Sequence, residues 1–261
     1  MGDRLAFDNP WVDLLALPVA LVLSLLFRSV LLGRLLLVPA QIQFHELGHA
    51  LVAWLSGRAA LPLPFGFTFW REEQSVFTGC CMAFLLCVLF FRALRERRPF
   101  GAVVALVLLS SFVLLAVVLP PDRSRMLILL AGLAGELVLT SLVMVAFYFP
   151  LPDRLRWDFF RFLLLVPAVA AWLSAVQLWA GVARGTTALP TGSILGTPGD
   201  GSGDLDRLMA EYSFDEHALS VLYGRLTWLT LLCLALVYTL FALRAVRKLW
   251  PNSRLVRGFA R

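Results

Sequence analysis

The chain has 261 residues, 60% of them hydrophobic and 15% charged, and a mean hydropathy of +0.82. A water-soluble domain is nearer half apolar and a quarter charged, so a soluble globular protein is excluded and the chain reads as an integral membrane protein. Its net charge of +6 then marks loops and orientation, and no nucleic-acid partner is expected.

The chain opens with MGDRLAFDNPW, which lacks the basic n-region and short apolar h-region of a secretory signal. Seven apolar stretches follow, at roughly 11–27, 31–56, 75–92, 101–119, 126–149, 160–181 and 226–246. Each except the first is long enough to cross a core of about 30 Å at about 1.5 Å per residue. The first is shorter and leaves a tilted, interfacial or re-entrant helix open. The expected fold class is an all-α polytopic membrane protein. It forms a single membrane-embedded domain over 1–261 with about seven transmembrane helices. Counting basic residues favours an outside N-terminus and an inside C-terminus, which puts 15 of the 23 on the inner face.

Residues 43–50, QFHELGHA, lie inside the second apolar stretch. Ionisable groups at bilayer depth are costly and face a bundle interior or an aqueous cavity. His45 and His49 stand four residues apart, so on a helix both imidazoles lie on one face and can share one metal ion. Glu46 lies about 100° around the helix, within reach of a water at that ion. This is the HExxH arrangement, in which two nitrogens hold Zn2+ and the glutamate moves protons. Gly48 is expected to let backbone or substrate approach the metal. About ten apolar residues precede His45, roughly 15 Å of helix, which sets the motif near the bilayer midplane.

After the motif, ALPLPFGFTF has prolines at 62 and 64 and alternating large residues, consistent with an edge strand beside the metal or with an interfacial loop. Cys80, Cys81, Cys87 and Cys233 form no CxxC pair and read as buried small hydrophobes. The turn FRALRERR is strongly basic. The segment 182–225 is the one long non-apolar stretch, and it opens with the Gly/Pro/Thr-rich run ARGTTALPTGSILGTPGDGSGD.

A catalytic zinc takes three protein ligands plus water. Asp204 closes the glycine run, where a flexible segment can dip toward the metal helix. Asp206, Glu136 in the middle of an apolar stretch, and His217 are the other candidates. DGSGDLDRL also invites a calcium-loop reading with Asp200 at position one and Glu211 at position twelve, but Leu205 falls where the sharp turn needs glycine. The tail RAVRKLWPNSRLVRGFAR suits anionic lipid headgroups. One lysine among 23 basic residues suggests a GC-rich genome, hence a bacterial inner membrane.

The helix HELGHALVAWLSGR, the extended AALPLPFGFTFW, the stretch LLAGLAGELVLT at 129–140 and GDLDRLMAEYSFDEHAL at 203–219 together resemble the site-2 protease family of intramembrane zinc metalloproteases, closest to compact members without a PDZ domain. The likeness covers most of 31–246. It implies a zinc metalloendopeptidase acting on peptide or transmembrane protein substrates in or beside the bilayer. His45 and His49 would be metal ligands, Glu46 the catalytic base, and Asp204 would match the family's aspartate. The N-P-x-x-x-L-D-G signature of larger members is absent. A non-proteolytic member of the fold, with a binding or assembly role, is the alternative.

Overall fold

The computed structural model describes residues 7–152, 157–192, 201 and 203–251. All seven apolar stretches are helical. They form α1 (Pro10–Ser29), α2 (Leu31–Leu55), α3 (Val76–Arg95), α4 (Pro99–Val113, extended by a π-helical turn over Leu114–Val118), α5 (Pro121–Ala146), α6 (Trp157–Ala183) and α8 (Glu216–Leu249). Between them lie a short α7 (Asp204–Tyr212) and an antiparallel hairpin of β1 (Ala60–Leu63) and β2 (Phe67–Trp70). Among the described residues, six helices are long and apolar enough to cross a membrane: α1, α3, α4 with its π turn, α5, α6 and α8. α2 has 25 residues but is not among them. Its middle carries Gln41, Gln43, His45, Glu46 and His49, which break the apolar run.

Local sequence explains the boundaries. Asn9 caps α1 by accepting from the Trp11 amide at 3.0 Å, and Ser75 caps α3 through the Thr78 amide. Prolines at the first turn start α1, α4 and α5, where a missing N–H costs nothing. A single extended residue, Val30, separates α1 from α2. The bend is so tight that a Cβ at Gly33 would sit 2.1 Å from the Phe27 carbonyl oxygen.

α5 is the central helix. It runs antiparallel to α2, with Glu136 beside Gln41 and His45, and Ile128 beside His49. The two backbones touch where Gly48 meets Gly135. A Cβ at Gly48 would lie 2.1 Å from the Ala131 oxygen, and one at Gly135 would lie 2.7 Å from the Gly48 Cα. In lipid, where apolar contact alone gives little preference, small residues let helices approach this closely. Of the two neighbours expected at Gly48, backbone or substrate, the structure places backbone there, that of α5.

Arg58, fully buried just beyond α2, fastens this seam at one end. It donates to the Glu72 and Pro121 carbonyl oxygens and to the Ser56 and Ser124 hydroxyls. Burial lowers its pKa from the ordinary guanidinium value, and the four acceptors satisfy the group that burial has desolvated. At the same end Gln74 joins the start of α3 to the Ser56 carbonyl.

The opposite end is basic. There Arg161 donates to the Phe147 carbonyl and stacks on Phe7, Phe100 stacks on Phe149, and Lys248 bonds the Asp8 carbonyl at 2.9 Å. Trp11 also meets Trp250, so the start of α1 and the end of α8 lie together. An odd number of crossings would put these two ends on opposite faces, so their contact does not support the expected seven crossings. The reason lies at Val30. α1 runs parallel to α6, with Ser24 on the Val166 carbonyl and Arg28 on Gln177, and α2 then runs antiparallel to α5. The two helices thus run in one sense and together carry the chain from the basic end to the Arg58 end.

Cys80, Cys81 and Cys233 are exposed on the outer faces of α3 and α8 and Cys87 is half-buried, so burial does not hold for the first three. Arg4, Arg154, Arg156, Asp200, Ser202 and the tail beyond Pro251 lie outside the described residues.

Candidate metal centre

The site sits midway along the α2–α5 seam and is closed by α7 and β2. His45 Nε2 and His49 Nε2 are 3.2 Å apart, and Asp204 Oδ2 lies 3.1 Å from the first and 3.0 Å from the second. These three side chains are the group among the described residues that could hold a metal ion. Ligand atoms about 2.0–2.1 Å from a tetrahedral zinc stand about 3.3 Å from one another, so the observed triangle has the edges of such a site.

The far side of each imidazole decides which nitrogen carries hydrogen. His49 Nδ1 lies 2.6 Å from the Ile128 carbonyl oxygen, which can only accept, so Nδ1–H donates and Nε2 presents a lone pair. His45 Nδ1 pairs in the same way with Glu136 Oε1 at 3.0 Å, and Gln41 holds the other Glu136 oxygen at 3.1 Å. Three acceptor atoms therefore converge within hydrogen-bond distance of each other. A proton or a metal ion among them relieves the repulsion between these atoms, and the donor set of two imidazoles and a carboxylate is one that zinc takes.

Glu136 is thus not a third ligand candidate by position. It sits behind His45, 5% exposed, and fixes that ring. Asp206 accepts from the Gly192 amide at 2.6 Å and the Gly203 amide at 3.3 Å, tying the loop ahead of α7. His217 is exposed in the first turn of α8, away from the cluster. Of the calcium-loop positions among the described residues, Asp204 turns to the histidines and Glu211 pairs with Arg207 at 2.9 Å.

Glu46 is 3% exposed and points to the β2 side of the helix. The Thr68 hydroxyl donates to its Oε2 at 2.6 Å, which leaves Oε1 for other chemistry. β2 also brings Trp70, whose ring lies 5.9 Å from His49 at 25°. The hairpin turns over residues 64–66, opened by Pro64 and completed by Gly66 at φ +89°, while Pro62 lies within β1 opposite Thr68. The extended reading of this stretch holds. A cavity of about 520 Å³ joins the cluster to the surface, with Gln41, Glu46, Thr68, Trp70 and Asp204 in its polar wall and Val38, Ile42 and Leu133 in its apolar one.

Thr68, Gln41 and Gly132 were missed from the sequence. Gln41 had a signal, since 41, 45 and 49 stack at four-residue intervals on one helix face. Gly132 had none without the register: a Cβ there would come within 2.4 Å of His49 Nε2 and 2.6 Å of His45 Nε2. No protein-family model, curated protein or solved structure matches this chain, so the functional reading rests on this geometry.

Proposed function

We propose that the protein is a zinc metallopeptidase that hydrolyses peptide bonds of membrane-embedded or membrane-adjacent substrates. The observation that carries this reading is the triangle of His45 Nε2, His49 Nε2 and Asp204 Oδ2, with edges of 3.0–3.2 Å and a glutamate beside it. When bound, zinc supplies a Lewis acid that acidifies water and polarises a peptide carbonyl. Glu46 takes a proton from the attacking water with Oε1 while Thr68 holds Oε2 in place. As the oxygen adds to the carbonyl carbon and the C–N bond breaks, Glu46 hands that proton to the departing amine. Ile128 and Glu136 keep both imidazoles turned toward the ion. β2 lines the cavity, and an extended substrate strand can pair along it, main chain to main chain.

The topology that goes with this reading has six crossings, α1 and α2 counting as one passage. The basic end, with Arg92, Arg95, Arg97, Arg98 and Lys248, faces the cytoplasm of a bacterial inner membrane. The test of mechanism is Glu46→Gln in detergent-purified protein, with zinc content and reporter cleavage measured together. Zinc stays at about one per chain and turnover falls by at least about 100-fold, as expected for loss of a general base. Full cleavage by Glu46→Gln would sink the peptidase reading and leave a binding or assembly role.

A further inference from the structure

A second cavity, of about 260 Å³, lies at the basic end between the α3–α4 hairpin and the α5–α6 connection. Its walls are small or apolar, among them Leu89 and Ala93 of α3, Ala105 of α4, and Leu142 and Ala146 of α5. None of its lining residues is charged. The gap follows from how the hairpin docks. Its own core joins Leu86 and Leu115 to Leu55 at the α2 terminus, toward the opposite end. At the basic end it faces α5 with Ala93, Gly101 and Ala105, too small to close the distance.

The turn directly above this slot carries the arginines. Arg95 and Arg97 are exposed, and Arg98 stands beside Gly101, its Cβ 3.9 Å from where a Cβ at 101 would lie. The turn is held by Arg97 N–H on the Leu94 carbonyl and Arg98 N–H on the Ala93 carbonyl. Trp157 lines the slot and donates its indole N–H to the Ala146 carbonyl at 2.9 Å, a ring of the kind that marks headgroup depth. Water gains nothing in a slot with apolar walls. An acyl chain does, and the cations above it complement a negatively charged phosphate.

We infer that this slot and its arginine turn form a binding site for one anionic phospholipid, which bridges the α3–α4 hairpin to α5 and α6. The chain end lies along Ala93, Ala105 and Leu142, and the phosphate sits on Arg95 and Arg97. The inference is independent of the peptidase reading.

The test is native mass spectrometry of the full chain in neutral detergent, titrated with phosphatidylglycerol or with phosphatidylcholine. One phosphatidylglycerol binds saturably at a concentration at least about tenfold below that for phosphatidylcholine. Each headgroup-level arginine contributes roughly a fivefold preference, so Arg95→Gln with Arg97→Gln weakens phosphatidylglycerol by about 25-fold and leaves phosphatidylcholine unchanged. Both residues are exposed, so this double variant folds. Ala105→Phe fills the slot and weakens both lipids. Equal binding of the two lipids to the wild-type chain overturns the site, as does a double variant that keeps its phosphatidylglycerol affinity.

Discussion

α5 and α3 are similarly apolar, and both are long enough to span a bilayer, yet they do opposite work. In α5, 61% of the most apolar window is buried in the protein, against 11% in α3. α5 presents Gly132, Gly135 and Glu136 to α2, and every polar atom it buries there has a named partner. α3 presents Phe77, Phe84 and Phe91 outward. Hydropathy says that a segment enters the membrane. Small residues and paired polar groups say which segment builds the site.

The contrast is broken most severely at the seam. Gly135→Leu places a side chain where the Gly48 backbone stands, and the protein should lose at least about 3 kcal/mol of stability or fail to fold, as overpacking and backbone clashes do. Its counterpart on α3 is Gly79→Ala, whose new Cβ meets only Phe112 Cζ at 3.9 Å. That change should stay within about 0.5 kcal/mol in the same detergent unfolding assay. Similar losses at the two positions would show that α5 is not the structural centre.

A smaller effect separates packing from positioning inside the seam. Glu136→Gln keeps the shape but removes the carboxylate that holds His45 Nδ1, so zinc affinity should fall about 10–100-fold with the fold intact. Competition with a chelator measures this directly. Unchanged affinity would make Glu136 a mere bystander. Smaller still is Asp206→Ala, which frees the Gly192 and Gly203 amides and should cost about 1 kcal/mol in stability without touching zinc.

Helices were legible in the sequence because long apolar runs between Pro, Gly and charged punctuation leave little alternative. The histidine pair was legible because four-residue spacing places two side chains on one face. What failed needed the register between helices. Glu136 reads as a ligand candidate on its own helix and becomes the partner of His45 only once α5 lies antiparallel to α2. The relative sense of the first two helices was hidden for a related reason. Val30 gives α1 and α2 one residue of connection, too little to signal that the two helices run in the same sense. Arg58 sits beside a glycine like any exposed loop arginine, and its burial depends on carbonyls from Glu72 and Pro121, distant in sequence.

On the proposed reading Asp204, carried in by α7, completes a metal site begun by His45 and His49. Zinc retention during chelator challenge tests it, with wild type compared against Asp204→Ala, Asp206→Ala and His217→Ala in folded, detergent-purified protein. The wild-type chain should hold about one zinc, Asp204→Ala should lose it rapidly, and the other two variants should retain it as wild type does. Retention by Asp204→Ala alongside loss from Asp206→Ala or His217→Ala would contradict it.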